Sequence, residues 1–191
     1  MSQDFYSTTP GSGLKIAAES YVNNGNTLYV PIISNKVVTS IGTNTGGIGT
    51  TSYAANQLMG TSQFTFSDVA LKAGLGGVIQ NASLYCEVVS TGQYLLRLFS
   101  KPITTIFADR ASYASYALTD VEARTFIGDI EFSFPLASSL NTTYSVNGIS
   151  MAFSTDDAGS PAIYGLLLAR NAHSLPSVTG QGIRINLNVL L

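Results

Sequence analysis

The chain has 191 residues, of which 45% are hydrophobic and only 10% are charged, and its formal net charge at pH 7 is −2. An average soluble domain carries about 25% charged residues. The nine basic residues are scattered without a run, which excludes the electrostatic footprint of a nucleic-acid-binding protein. A free monomer usually stays soluble through interspersed charges, so this composition favours a protein whose surface is covered by other subunits. An ordinary neutral β-domain is the alternative interpretation.

No sequence signal points to export or to a membrane. Residues 1–5 lack the basic start and the apolar stretch of a signal peptide, so we expect synthesis in a cytoplasm without export by the usual route. No apolar run approaches the roughly 20 residues that span a bilayer, so no membrane partner is expected. Cys86 is the only cysteine and lies in the apolar run 84–89, which predicts a small buried side chain rather than a nucleophile.

Short alternating segments between turn residues predict strands along most of the chain. In chain order they cover residues 27–33, 36–41, 63–67, 77–89, 94–99, 126–134, 147–153, 163–169 and 182–191. The segment 163–169 is almost wholly apolar, which predicts a central strand that is covered on both faces. Two windows, 16–19 and 118–124, each allow a turn or two of helix. In the second window Thr119 precedes Glu122 by three residues, the spacing of a capping box.

This pattern predicts an all-β fold, an antiparallel β-sandwich for which a jelly-roll-like form is preferred, with an extended N-terminal arm. Residues 1–35 are predicted to form the arm or a pair of lateral strands, and residues 36–191 the β-sandwich domain. Turn or linker clusters at 11–13 and 23–26 set the first segment apart. Whether the arm docks on a neighbouring copy or adds a strand to its own sandwich stays open.

The residues that could support catalysis are few. His173 is the only histidine; it is predicted in a loop beside Ser174, where a solvated side chain is the more common outcome. One cysteine and one histidine exclude the known zinc patterns. Asp156 and Asp157 could offer oxygens to a hard cation, but their surroundings are also ordinary turn chemistry. We therefore predict no enzyme, no cofactor and no metal site.

Three further patterns favour structural interpretations over binding or catalysis. Paired carboxylates of a glycosidase are conceivable, but the chain has no Trp to line a sugar groove; the candidates are Glu87, Asp109, Asp120, Glu122, Asp129 and Glu131. The glycines of residues 74–77 lack the Lys and Ser/Thr ending of a phosphate loop and predict a turn that enters a strand. The tyrosines mostly alternate with aliphatic residues, which indicates packing, although Tyr113 and Tyr116 lie near loops and could bind a ligand.

A set of ordered motifs resembles the small β-sandwich proteins that decorate or cement the heads of tailed bacteriophages. The first half comprises Tyr-Ala-Ala-Asn-Gln-Leu-Met-Gly at 53–60, Phe-Thr-Phe at 64–66 and the run 76–84. The second half comprises the runs 96–102, 108–113, 118–120, 126–128 and 163–167. The resemblance covers about residues 37–191 and leaves the arm unmatched. Asp109-Arg110-Ala111 departs from it, because an Asn is expected at the middle position.

The resemblance implies a virion protein on the outer surface of a phage capsid. Its partners would be the major capsid protein, bound across several subunits, and other copies of the same chain in a homotrimer or similar cluster. Such a protein stabilises the shell because each copy contacts several subunits, and removing one copy requires all of these contacts to be broken at once. The rival interpretations are a tail, neck or fibre-base component of a virion, a carbohydrate-binding β-sandwich module and, last, an enzyme.

Overall fold

The computed structural model describes residues 18–23, 26–31, 37–44, 48, 52–105, 108–113, 118–156, 159–175 and 182–191. The chain divides into two compact units, Met1–Lys36 and Val37–Leu191. In the first unit, β1 (Ala18–Asn23) pairs antiparallel with β2 (Asn26–Pro31). The helical window predicted at residues 16–19 is therefore wrong at Ala18 and Glu19, because strand pairing overrides the weak local preference.

The second unit, here called the body, contains nearly all of the described strands. Its elements are β3 (Val37–Asn44), β4 (Ser52–Tyr53), β5 (Phe64–Phe66), β6 (Gly76–Cys86), β7 (Tyr94–Phe99), α1 (Asp120–Ala123), β8 (Phe126–Phe132), β9 (Pro135–Ala137), β10 (Thr142–Ser154), β11 (Ile163–Ala169), β12 (His173–Ser174) and β13 (Ile183–Leu190). The predicted strands at 94–99 and 163–169 are confirmed to the residue. The strand predicted at 77–89 ends earlier, at Cys86.

Nine strands of the body follow one another in the order β8-β7-β11-β5-β3-β13-β6-β10-β9, and every pair is antiparallel. Strand β3 joins the two halves of this nine-stranded array, because Val37–Gly42 pair with β13 whereas Thr43 and Asn44 pair with β5. We call β3, β13, β6, β10 and β9 the front sheet, and β5, β11, β7 and β8 the back sheet. Separately, β4 pairs with β12 as a two-stranded ladder.

The two sheets pack against each other as in a sandwich. Alternate residues of β13 are buried, and the same alternation recurs in β6 and β7, as the period of a half-buried strand requires. Side chains from opposite sheets meet directly: the rings of Phe132 and Tyr144 lie 6.5 Å apart in an edge contact. The all-β antiparallel sandwich predicted from the sequence is thereby confirmed, whereas its jelly-roll form stays a prediction.

The back sheet is also covered on its outer side. A second apolar cluster forms there, with Leu58, Phe99, Ile103, Leu166 and Leu168 buried together. Strand β11 is buried at six of its seven positions, which confirms the prediction of a central strand covered on both faces. The short helix α1 also lies in the segment that follows β7, and its capping box between Thr119 and Glu122 is confirmed.

Candidate functional site

His173 is not the solvated loop residue that the sequence indicates. It lies in β12 opposite Tyr53, and only 6% of its surface is exposed. Its ring stacks on Tyr53, with 5.8 Å between ring centroids, and meets the edge of Tyr94 at 5.1 Å. The prediction was wrong because the tertiary fold lays two aromatic rings from distant strands over this position, and short-range patterns carry no sign of that.

Ser174 does not form a catalytic pair with this histidine. Its hydroxyl lies 3.0 Å from the hydroxyl of Ser52 across the β4–β12 ladder and is exposed. The Nδ1 atom of His173 instead contacts the backbone oxygen of Asn171 at 3.0 Å. Burial lowers the pKa of His173, and the hydrogen bond to Asn171 opposes that shift only in part.

The carboxylates named in the sequence lie in separate local arrangements. Asp109 accepts hydrogen bonds from the Tyr53 hydroxyl and the Gly60 amide, both at 2.7 Å. Asp129 pairs with Arg97, and Asp156 lies 3.0 Å from the Lys101 ammonium. Across the described part of the chain, no group of three or more His, Cys, Asp or Glu side chains could hold a metal ion. Asp157 lies outside the described residues.

Glu122 is the most heavily hydrogen-bonded of these acids. Its two carboxylate oxygens accept bonds of 2.8–3.1 Å from the backbone amides and hydroxyls of Thr104, Thr105 and Thr119. Burial by itself raises the pKa of Glu122, but the bonds from Thr119 and Thr105 outweigh it and hold that pKa well below its ordinary value. A carboxylate fixed in this way ties α1 to the segment after β7 and has a structural role.

Two other sequence candidates also have structural explanations. Gly74 adopts a φ of +80° in a turn, and Gly76 and Gly77 begin β6, as predicted for a turn that enters a strand. The Tyr113 ring lies under the Arg97 guanidinium at 4.8 Å, beside a shallow pocket of about 240 Å³. The pocket is lined by Arg97, Phe99, Tyr113, Leu118, Ala123 and Phe126. Tyr116 lies outside the described residues.

Cys86 is confirmed as a buried free thiol. Burial raises its pKa to about 11, with a hydrogen bond to Tyr94 acting in the opposite direction. A thiol of this kind is protonated at neutral pH and is inert as a nucleophile.

The feature that the sequence analysis missed is a continuous uncharged surface on the outer side of the front sheet. Strand register aligns its side chains in rows across β10, β6, β13 and β3. One row is Ser145, Ser83, Asn186 and Ile41, and the next is Asn147, Asn81, Asn188 and Thr39. All eight side chains are exposed or partly exposed. We call these two rows the neutral face.

The five front-sheet strands, which carry the neutral face, contain a single charged residue, Arg184. Arg184 is exposed on the same side of the sheet, in the row next to the neutral face, where it lies opposite Tyr85. The back sheet differs, since its strands carry Arg97, Asp129 and Glu131 and its outer side is covered by an apolar cluster. The low overall charge was visible in the sequence. That the uncharged residues lie together on one sheet could be recognised only from the strand register.

The β9–β10 hairpin and the residues beside it form an apolar edge of the front sheet, which we call the apolar hairpin. Phe134, Leu136 and Leu140 are 89%, 78% and 76% exposed, the highest values among the large hydrophobic side chains of the described residues. Leu136 lies opposite Thr143, and Thr143 lies opposite Tyr85 on β6, so the hairpin adjoins the neutral face. No charged residue occurs between Glu131 and Asp156. Exposed apolar side chains clustered at a sheet edge are typical of contacts with another protein.

Comparisons with known proteins identify no family for this chain. No protein-family model matches it, and no curated protein does. Among solved structures, a chain from "Structure of a marine algae virus of the order Picornavirales" is similar at 12% identity and a TM-score of 0.22, over 99% of this chain and 85% of that one. A TM-score this low carries no argument about fold or function. Among the described residues, no helix is long and apolar enough to cross a membrane.

Proposed function

We propose that the protein is a structural component of a virion that stabilises a phage capsid by binding across major capsid protein subunits. The observation that carries this proposal is the neutral face. Binding at that face removes Ser, Thr and Asn side chains from water but strips almost no charge of its hydration, and burying charges is what makes most polar surfaces costly to cover. Such side chains can also hydrogen-bond to exposed backbone groups of a neighbour.

The order of sequence motifs supports the same proposal independently, since it resembles phage decoration proteins over residues 37–191. The apolar hairpin supports it as well, because three exposed hydrophobic side chains beside the neutral face provide a contact that gains free energy when water is excluded. Several copies, each contacting two or more shell subunits, would resist the internal pressure of packaged DNA through many modest contacts acting together.

The direct test is co-sedimentation of the purified chain with phage heads that lack it, together with light scattering of the free chain. We expect a homotrimer or similar oligomer that pellets with heads saturably and at fixed stoichiometry. A monomer that does not bind heads would contradict the proposal and favour a tail component or a carbohydrate-binding module.

Charge placed on the neutral face tests the observation itself. Ser145 and Asn147 are exposed on β10, so the double variant Ser145→Lys/Asn147→Lys should fold and yet lose at least tenfold in affinity for heads. The matched control, Thr61→Lys/Val121→Lys, adds the same two charges at exposed positions elsewhere on the body. Equal binding by both variants would show that the neutral face does not contact the shell.

The N-terminal unit requires a separate experiment. Deleting residues 1–35 should weaken attachment or oligomerisation more than it weakens folding of the body. Thermal unfolding and head binding measured on the same truncated protein distinguish these outcomes. An equal loss of both would contradict the idea of an arm.

A further inference from the structure

Within the described part of the chain, one ring nitrogen of the buried histidine has no hydrogen-bond partner. Because the carbonyl oxygen of Asn171 can only accept, the 3.0 Å contact means that Nδ1 of His173 carries the proton. Nε2 is then the unprotonated nitrogen. It is buried, and it has no hydrogen-bond partner among the residues that the structure describes.

The polar atoms around the ring are already engaged. The Tyr94 hydroxyl bonds to Ser90 at 2.6 Å, and the Ser90 hydroxyl accepts from the Gly92 amide at 3.0 Å. The Tyr144 hydroxyl donates to the Gly92 oxygen at 2.6 Å. A Cβ atom on Gly92 would lie 2.8 Å from His173 Cδ2, which shows how closely the chain packs on this ring. Among the described residues no group lies within hydrogen-bond distance of Nε2, so a proton added there would have no acceptor unless the packing changed.

We propose that His173 is an acid-sensitive latch, whose neutral ring keeps β4 and β12 paired and whose protonation makes them separate in mildly acidic solution. Opening this ladder would free Tyr53, whose hydroxyl ties the ladder to Asp109. It would also loosen the segment after β4, where the Leu58 amide donates a 2.9 Å hydrogen bond to the Ala111 oxygen over the back sheet. This device goes beyond the proposed function and does not depend on it.

The direction of the pH effect follows from linkage. Burial lowers the pKa of His173 below its ordinary value of 6.5, so the open state binds protons more readily than the closed state. The latch is fully closed above pH 6.5 and weakens as the pH falls below that value. The face of the Tyr53 ring offsets part of the cost of the imidazolium, but it cannot accept the Nε2–H bond as a carbonyl would.

Three other titratable groups of the cluster, Tyr94, Tyr144 and Cys86, stay protonated in this pH range. On β7, burial raises the pKa of Tyr94, and on β10 it raises the pKa of Tyr144 to about 12. On β6, burial raises the pKa of Cys86 to about 11. On β4, the hydroxyl of Tyr53 is bonded to Asp109, and Asp109 in turn lies 3.5 Å from Arg110.

The test uses the full chain without a histidine tag, because His173 is then the only histidine. Long-range proton–nitrogen NMR should show an unprotonated Nε2 at pH 7.5 and a ring that titrates below pH 6.5. Hydrogen-exchange protection factors of the β4 and β12 amides should fall as the pH drops below 6.5, by up to about tenfold per pH unit. Amides of β6 and β13 should keep their protection.

The matched variant is His173→Phe, which keeps a ring between Tyr53 and Tyr94 but cannot titrate. Its β4 and β12 amides should show no acid-dependent loss of protection between pH 7.5 and 5.5. A similar loss in this variant would overturn the proposal, and so would a wild-type ring that titrates at or above pH 6.5. Because those wild-type measurements need no variant, the proposal stays falsifiable even if His173→Phe fails to fold.

Discussion

Arg97 on β7 and Asp129 on β8 lie directly opposite each other and form a two-pronged ion pair. The guanidinium Nε donates to Oδ1 at 2.8 Å, and a terminal nitrogen donates to Oδ2 at 2.7 Å. The same guanidinium lies 4.8 Å from the Tyr113 ring centroid and 5.4 Å from that of Phe126. One side chain thus links the edge strand of the back sheet to the segment that covers it.

Replacing Arg97 with Lys should therefore lower the free energy of unfolding by about 0.5–1 kcal/mol, because an ammonium cannot make both parallel bonds or stack flat on the rings. The matched control is Arg170→Lys, whose pair with Glu131 is exposed and long at 3.9 Å. Urea denaturation of both variants measures the difference. An equal effect at the two sites would contradict the role assigned to the two-pronged geometry.

Glu122→Gln should destabilise the body by about 1–3 kcal/mol, since an amide nitrogen facing the donors of Thr104, Thr105 and Thr119 leaves some of them unpaired. The pKa of Glu122 is depressed, so its contribution is present above its ordinary value of 4.5 and is lost as the pH falls below it. The melting temperature of the wild type should thus fall more steeply below pH 4.5 than that of the variant. Asp120→Asn, at an exposed position of α1, should leave that slope unchanged.

Leu98→Asp or Leu167→Asp should prevent folding, because each introduces a carboxylate at a position that is at most 2% exposed. Val121→Asp provides the control, since Val121 is exposed on α1. Soluble expression and circular dichroism distinguish the variants. Native-like protein from either leucine variant would refute the assignment of the core.

Arg110→Asn should raise the free energy of unfolding by about 0.5–1 kcal/mol, because Arg110 has a φ of +66°, a conformation that Asn adopts at lower cost. The lost 3.5 Å contact with Asp109 involves an exposed arginine and contributes little. Arg124→Asn, at a φ of −71°, should bring no gain. Chemical denaturation measures the free energy of unfolding of both variants. A destabilised Arg110→Asn variant would show that the contact with Asp109 outweighs the backbone strain.

Within the body, the strands missed by sequence interpretation are the short ones, β4, β9 and β12. Ser52–Tyr53 and His173–Ser174 are too short to alternate visibly and form a ladder only because the chain brings them together. Strand β9 begins at Pro135 and pairs across the tight turn before Asn141, where Ser138 bonds back to the Asn141 oxygen at 2.8 Å. Such pairings depend on partners that a local pattern cannot identify.

By itself the sequence determined the all-β class, the buried alternation of strands such as β7 and β13, the capping box of α1 and the inert burial of Cys86. These features depend on local periodicity and on spacings of a few residues, which can be recognised in the sequence without knowledge of the tertiary structure. Only the tertiary structure decided that His173 is buried between two tyrosine rings, and that uncharged residues from four strands form one face. Both arise from register and sheet order, which bring together residues far apart in the chain and are set by the whole core.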